Sequence, residues 1–200
     1  LYTNLGDEAI MHGLNETEVS CVVTSHELLP KFKKMLEHCP HIQTVIVMED
    51  QIFPLDITGY KLGVRVIPFR SVVNMGEKSS VDVVPPTSET PAIIMYTSGS
   101  TGVPKGVILT HGNLISTSTC IMFLVKFEPN DIYMAYLPLA HVLELLSECT
   151  MMMFGVAVGY SSPNTMTDMS TKVAKGNKGD AGILKPTMMC VVPLILDRIY

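Results

Sequence analysis

The sequence predicts an α/β fold. Two apolar, β-branched runs, VSCVVTS at 19–25 and IQTVIVMED at 42–50, flank the amphipathic segment HELLPKFKKMLEHC. Strand, helix, strand is the order that builds a parallel sheet, with helices covering its faces. The same alternation continues along the chain, with no internal repeat and no low-complexity run. Composition agrees, because 47% hydrophobic against 16% charged residues over 200 positions can bury a sizeable core and argues against disorder.

In chain order, Thr3 and Asn4 followed by LGDEAIMHGLNETE predict a helix with an acidic first turn. The strand at 19–25 comes next. The segment after it carries Leu28, Leu29, Phe32 and Leu36 on one side and lysines on the other, with Pro30 suited to a first turn. The strand at 42–50 leads to a weaker one, GVRVIPF at 63–69. Residues 74–91 are polar, contain Pro85, Pro86 and Pro91, and predict a loop with a possible subdomain boundary. Strands follow at 92–96 and 106–110, then a helix from His111 to about Lys126 and a strand at 132–138. A helix is expected near His141, a strand near Val156, a helix over NTMTDMSTKVAK capped by Asn164, a short strand at 181–186 and a further helix from Val192.

The bulk numbers exclude some classes. A net charge of −5 gives no basic footprint for nucleic acid. Five scattered cysteines without a CxxC read as buried, reduced thiols. Cys39 stands beside His38 and His41, but no second ligand pair has zinc-site spacing, so core packing is preferred to a metal site. The most apolar stretch, 142–160, contains Glu144, Glu148 and Gly155 and reads as a core helix followed by a strand, not as a membrane span. The chain opens on Leu1 with no signal peptide and closes on DRIY, and is read as a piece of a longer protein.

The stretch YTSGSTGVPKG at 96–106 carries the chemistry. Glycines let the backbone approach a ligand, consecutive N–H groups make an anion-binding concavity, and Thr97, Ser98, Ser100 and Thr101 add hydroxyls. Lys105 adds a mobile cation. Together these suit a polyphosphate. A P-loop is excluded because Lys105 is flanked by Pro104 and Gly106, where G-x-x-x-x-G-K-[ST] is required. A G-x-S-x-G elbow is excluded because Ser98 stands where glycine is needed before Ser100. A ligand-free hairpin is the plain alternative, and a hydroxyl run ending in Pro-Lys-Gly between strands argues against it.

The run YTSGSTGVPKGVILTHGNL resembles the phosphate-binding signature of the adenylate-forming superfamily. LPLAHVLE at 137–144, VGYSSPNTMTD at 158–168, KGDAGILKPTMMCVVPLILDRIY at 178–200 and LNETEVSCVVTS at 14–25 narrow the resemblance. They are similar to the long-chain fatty acyl-CoA synthetases (long-chain fatty acid–CoA ligases) of animals, close to the arachidonate-preferring branch. The likeness is weakest over 50–90.

That resemblance implies a partial AMP-binding domain over residues 1–200, part of the large N-terminal domain of an adenylate-forming enzyme, with layered, mostly parallel sheets and flanking helices. It implies a ligase in which a fatty-acid carboxylate attacks the α-phosphate of ATP, giving an acyl-adenylate that CoA then intercepts. Thr97, Ser98, Gly99, Ser100, Thr101, Gly102 and Gly106 would wrap the phosphates, Lys105 would contact them, and Thr101 would lie near Mg²⁺. His141 would sit beside the acyl carboxylate as a hydrogen-bond donor, whereas the residues alone favour a helix cap or a core histidine. His111 reads as structural. Glu144 and Glu148, at i and i+4, lack a histidine partner for a metal; Glu144 reads as a structural contact and Glu148 as a solvated or capped group. Met151–153 and Met188–189 suit an acyl tunnel or, for most of them, ordinary core packing.

The family's Tyr-Gly-x-Thr-Glu segment, ribose-binding aspartate, hinge and C-terminal domain are expected outside these residues, as is a membrane anchor. The parent is expected at the cytosolic face of the endoplasmic reticulum membrane, with fatty acid, ATP and CoA as partners and no nucleic acid. Two other readings stay open, an adenylate-forming ligase for a different acid and a non-catalytic, truncated nucleotide-binding product.

Overall fold

The computed structural model describes residues 1, 5–50, 52–97 and 104–193. It divides into two compact units, one comprising Leu1–Pro85 with Tyr96–Gly106 and the other Pro86–Met95 with Val107–Tyr200.

The first unit is built on a wholly parallel sheet of β1 (Cys21–Ser25), β2 (Thr44–Met48) and β3 (Arg65–Pro68), in the order β1-β2-β3. Cys21 pairs with Thr44, and Thr44 with Arg65. β2 is the central strand, and Val45 and Val47 are fully enclosed. Leu14 of helix α1 (Asp7–Glu16) packs on them, as do Leu29, Phe32 and Leu36 of the 29–38 segment. Covering a parallel strand with helices is why its sequence runs apolar rather than alternating.

Three expectations in this unit are corrected. Helix α1 starts at Asp7 with Gly6 as its cap, and its acidic first turn is Asp7 and Glu8; Thr3 and Asn4 lie outside the described residues. The amphipathic segment is not one α-helix. It is a 3₁₀ turn (Leu29–Lys31), a single α turn, α2 (Phe32–Met35), and a second 3₁₀ turn (Leu36–His38). Its apolar residues fall three or four apart, which serves either winding. Residues placed in a strand end and a loop form helix α3 (Phe69–Gly76), whose Phe69, Val72 and Val73 stand at helical spacing behind Pro68.

The second unit contains β6 (Ile132–Ala135) and β7 (Ala157–Tyr160), paired in parallel. A bridge from Tyr133 to Met188 extends the sheet on the other side of β6. Helix α4 (His111–Leu124) packs along α5 (Val142–Met153). Strands β4 (Pro91–Thr97) and β5 (Lys105–Thr110) form a two-stranded sheet of their own. The α/β class, parallel pairing and flanking helices agree with the sequence reading.

Here too local predictions fail for physical reasons. The 164–175 stretch is a chain of turns rather than a helix. Ser170 Oγ accepts from Thr167 N–H (3.0 Å), the Asn164 carbonyl accepts from Lys172 N–H (2.9 Å), and Thr171 Oγ1 donates to Asn164 Oδ1. Short hydroxyl and amide side chains compete with helical backbone bonds in this way. The expected strand at 181–186 is a short helix, α6 (Asp180–Leu184), ended by Lys185 in the left-handed region (φ 52°). An apolar run this short reads equally as strand or helix. The strand expected over 132–138 stops at Ala135. The helix expected from Val192 falls almost entirely on 194–200, outside the described residues.

All five cysteines are free, but only Cys39 is buried; Cys21, Cys120 and Cys149 are exposed and Cys190 is half-buried. Met151 is core, Met188 and Met189 pack against core clusters, and Met152 and Met153 are exposed. Among the described residues no helix is long and apolar enough to cross a membrane.

Candidate functional site

The hydroxyl- and glycine-rich stretch joins β4 to β5. Its first residue, Tyr96, is buried, and its hydroxyl donates to the Glu16 carboxylate and lies 3.4 Å from the Gly13 carbonyl. Burial and, after it, the bond to Glu16 push the phenol up to about 12. A side chain at Gly13 would meet the Tyr96 ring at 3.3 Å, so glycine there lets the ring lie against α1. Thr97 closes β4 at the surface, and Lys105 and Gly106 open β5, also exposed. No ion pair among the described residues engages Lys105. Ser98, Gly99, Ser100, Thr101 and Gly102 lie outside the described residues.

Strand β5 runs without a loop into α4, and Thr110 serves both elements. Its side chain accepts from Asn113 N–H (3.2 Å) while Asn113 Oδ1 accepts from Thr110 N–H (3.0 Å), a reciprocal cap. His111 N–H donates to the Thr90 carbonyl (3.0 Å) and Gly112 N–H to that of Ser88 (2.9 Å). His111 therefore contributes its backbone to the start of this helix.

His141 caps α5. Its Nδ1 accepts from Leu143 N–H at 3.2 Å, its own N–H donates to the Pro138 carbonyl (2.8 Å), and its carbonyl accepts from Glu144 N–H (3.1 Å). With Nδ1 used as an acceptor, a neutral imidazole carries its hydrogen on Nε2, where it is a donor. The cap reading and the donor reading are thus compatible, because each uses a different nitrogen.

Helix α5 carries a polar cluster in which Glu144 makes the structural contact expected of it, with partners the sequence reading did not foresee. Glu144 is fully enclosed; its Oε1 accepts from Tyr133 Oη (3.0 Å) and its Oε2 from Leu137 N–H (3.2 Å). Burial raises its pKa above the usual carboxylate range, against the two donors that lower it. Glu148 is only 4% exposed and accepts from Tyr160 Oη at 2.9 Å, which corrects the solvated reading. Ser147 bonds Cys190 Sγ (2.9 Å) and the Leu143 carbonyl (2.7 Å). Glutamates one turn apart in an apolar helix were the available signal. Their tyrosine partners come from neighbouring strands, which helical spacing does not reveal.

Each carboxylate is matched to a tyrosine, and among the described residues no three His, Cys, Asp or Glu side chains gather as a metal site. The donor set at the β4–β5 connection fits a nucleotide polyphosphate: an exposed lysine with no carboxylate on it among the described residues, and a threonine hydroxyl at the strand end.

Residues 1–200 match the family model described as AMP-binding enzyme. The chain is 42% identical to long chain acyl-CoA synthetase 8 of Arabidopsis thaliana over 204 residues, covering 100% of this chain and 28% of that protein. It is 33% identical to long-chain-fatty-acid–CoA ligase 1 of Schizosaccharomyces pombe, covering 99% of this chain and 29% of the relative. The chain thus spans under a third of the length of these relatives. Among solved structures, it is similar to the adenylation domain of a carboxylic acid reductase from Segniliparus rugosus, in complex with AMP and a co-purified carboxylic acid. There the TM-score is 0.79 at 19% identity, over 100% of this chain and 33% of that one. O-succinylbenzoate CoA synthetase of Bacillus subtilis, in complex with AMP, gives 0.61 at 19% identity, over 100% and 43%. At such identities the likeness is one of fold.

Proposed function

Because the chain belongs to the AMP-binding enzyme family, we propose that it is part of a long-chain fatty acid–CoA ligase, of animal type and close to the arachidonate-preferring branch. The whole protein activates a fatty acid with ATP and transfers the acyl group to CoA. The observation that carries the ligase reading is the similarity, over the whole of this chain, to long-chain synthetases of a plant and a yeast; the animal type and branch rest on the segments quoted under Sequence analysis.

The first half-reaction brings two anions together, so it needs charge neutralisation and alignment more than a protein nucleophile. In this reading Lys105 neutralises the β- and γ-phosphates, and Thr97, Ser98, Gly99, Ser100, Thr101, Gly102 and Gly106 supply hydroxyls and N–H groups around them. Magnesium, when bound, screens the polyphosphate charge, and Thr101 is this chain's contribution near it. His141 donates from Nε2 to the acyl carboxylate, orienting it for attack on the α-phosphate. The hinge, the C-terminal domain and the anchor to the cytosolic face of the endoplasmic reticulum belong to the rest of the protein.

The test uses the full-length protein. ATP- and CoA-dependent thioester formation is measured with palmitate and arachidonate, for wild type and Lys105→Ala. Loss of one well-placed charge-stabilising donor costs on the order of 10²-fold in rate, and a drop of that size is expected. A folded full-length protein that binds ATP but forms no thioester with any fatty acid overturns the ligase reading in favour of a nucleotide-binding product.

A further inference from the structure

We propose that Glu144 is a positioning residue that fixes the direction in which His141 presents its donor. This rests on the role given to His141 above. A fully enclosed carboxylate with no cation on it among the described residues is costly, and a well-packed apolar side chain at this place in α5 would cost less. Its two oxygens are spent on two different structures. One holds Tyr133 in β6; the other holds the N–H of Leu137, which follows the end of β6 and has left the strand ladder. The carboxylate therefore ties the first turn of α5 back to the residue where the His141 segment departs.

Between those ties the chain has little freedom. The Pro138 carbonyl accepts from His141 N–H, the His141 carbonyl accepts from Glu144 and Leu145 N–H (3.1 and 3.2 Å), and the ring accepts from Leu143 N–H. Backbone at both sides of the imidazole is pinned, and Glu144 closes the segment by pinning its beginning. Without the carboxylate, Leu137 N–H loses its partner and the 138–141 turn is held at one end only. The cap on Nδ1, and with it the aim of Nε2, then loosens.

Full-length enzyme carrying His141→Asn, Glu144→Leu, Glu144→Gln and the His141→Asn/Glu144→Leu pair tests this. Asparagine keeps a helix cap while removing the imidazole. Glu144→Leu is expected to lower kcat about tenfold with KM for ATP unchanged, and His141→Asn about a hundredfold. Glu144→Gln, which can still accept from Leu137 and donate to Tyr133, is expected to return kcat to within about threefold of wild type. In the His141→Asn background, Glu144→Leu is expected to cost less than about twofold, because residues acting through one another are not additive. Losses that multiply overturn the proposal and leave the His141 reading standing. Wild-type kcat in His141→Asn overturns both. Should Glu144→Leu not fold, the same cycle is run with Tyr133→Phe, which removes one of the two donors; an equal loss in both backgrounds again overturns it.

Discussion

Tyr96 shows how much one hydroxyl can organise. It opens the glycine-rich stretch, yet its partner is Glu16, on a helix 80 residues earlier. Tyr96→Phe should destabilise the full-length protein by about 1 kcal/mol, the usual worth of a single hydrogen bond. The phenol also gives this deletion a pH signature. Its folded-state value is raised from 10.0 to about 12, so its contribution is complete below about pH 10 and is lost as pH rises toward 12. The melting difference between wild type and Tyr96→Phe should therefore be largest near neutrality and shrink by pH 11; a gap that widens with pH contradicts the assignment. At this scale the sequence was partly readable. Lys105 and His141 stand out by residue type, because their neighbours spell a pattern. Glu16, Tyr133 and Tyr160 do not, because their roles depend on pairings made only when distant segments fold together.

Among the elements, those announced by strong local signals were legible. β1 and β2 are short apolar runs in the positions expected, and α4 and α5 start at His111 and just after His141, where helices were expected. The misreadings share a cause. Over 164–175 side-chain bonds outcompete the helix, over 180–184 the apolar run is too short for its period to decide, and α3 hides behind Pro68, which looks like the end of a strand. Gly112 is the element-scale test. A Cβ there would lie 2.9 Å from the Ser88 carbonyl oxygen, closer than real Cβ atoms come to backbone. Gly112→Ala, normally favourable in a helix, should here lower the melting temperature, as an overpacked or strained substitution does by about 1–3 kcal/mol. Thr110→Ala should cost about 1 kcal/mol through loss of the cap, read in the same melting experiment.

For the whole molecule, the α/β class was readable because parallel strands covered by helices leave an apolar imprint that survives errors in individual elements. Much apolar surface stays open in these 200 residues: on α4, Phe123 is 81% and Leu124 84% exposed, and Ile108 of β5 is also open. Prepared alone, the chain should bind a hydrophobic dye and elute in light scattering above its monomer mass of 21.9 kDa, whereas the full-length protein should do neither. A dye-silent monomer would contradict this. The start of α4 bears on how such a protein grips an anion. In a P-loop, the helix behind the glycine-rich turn lends its open amides to the phosphates. Here the amides of His111, Gly112 and Asn113 are already spoken for by Thr90, Ser88 and Thr110. That socket is plugged from within the fold, so α4 has no bare amide in its first turn to offer a nucleotide. Under the function proposed above, the grip on phosphate is assigned to the hydroxyls, glycines and lysine of the connection itself, and substitutions that test nucleotide affinity belong there rather than in the helix that follows.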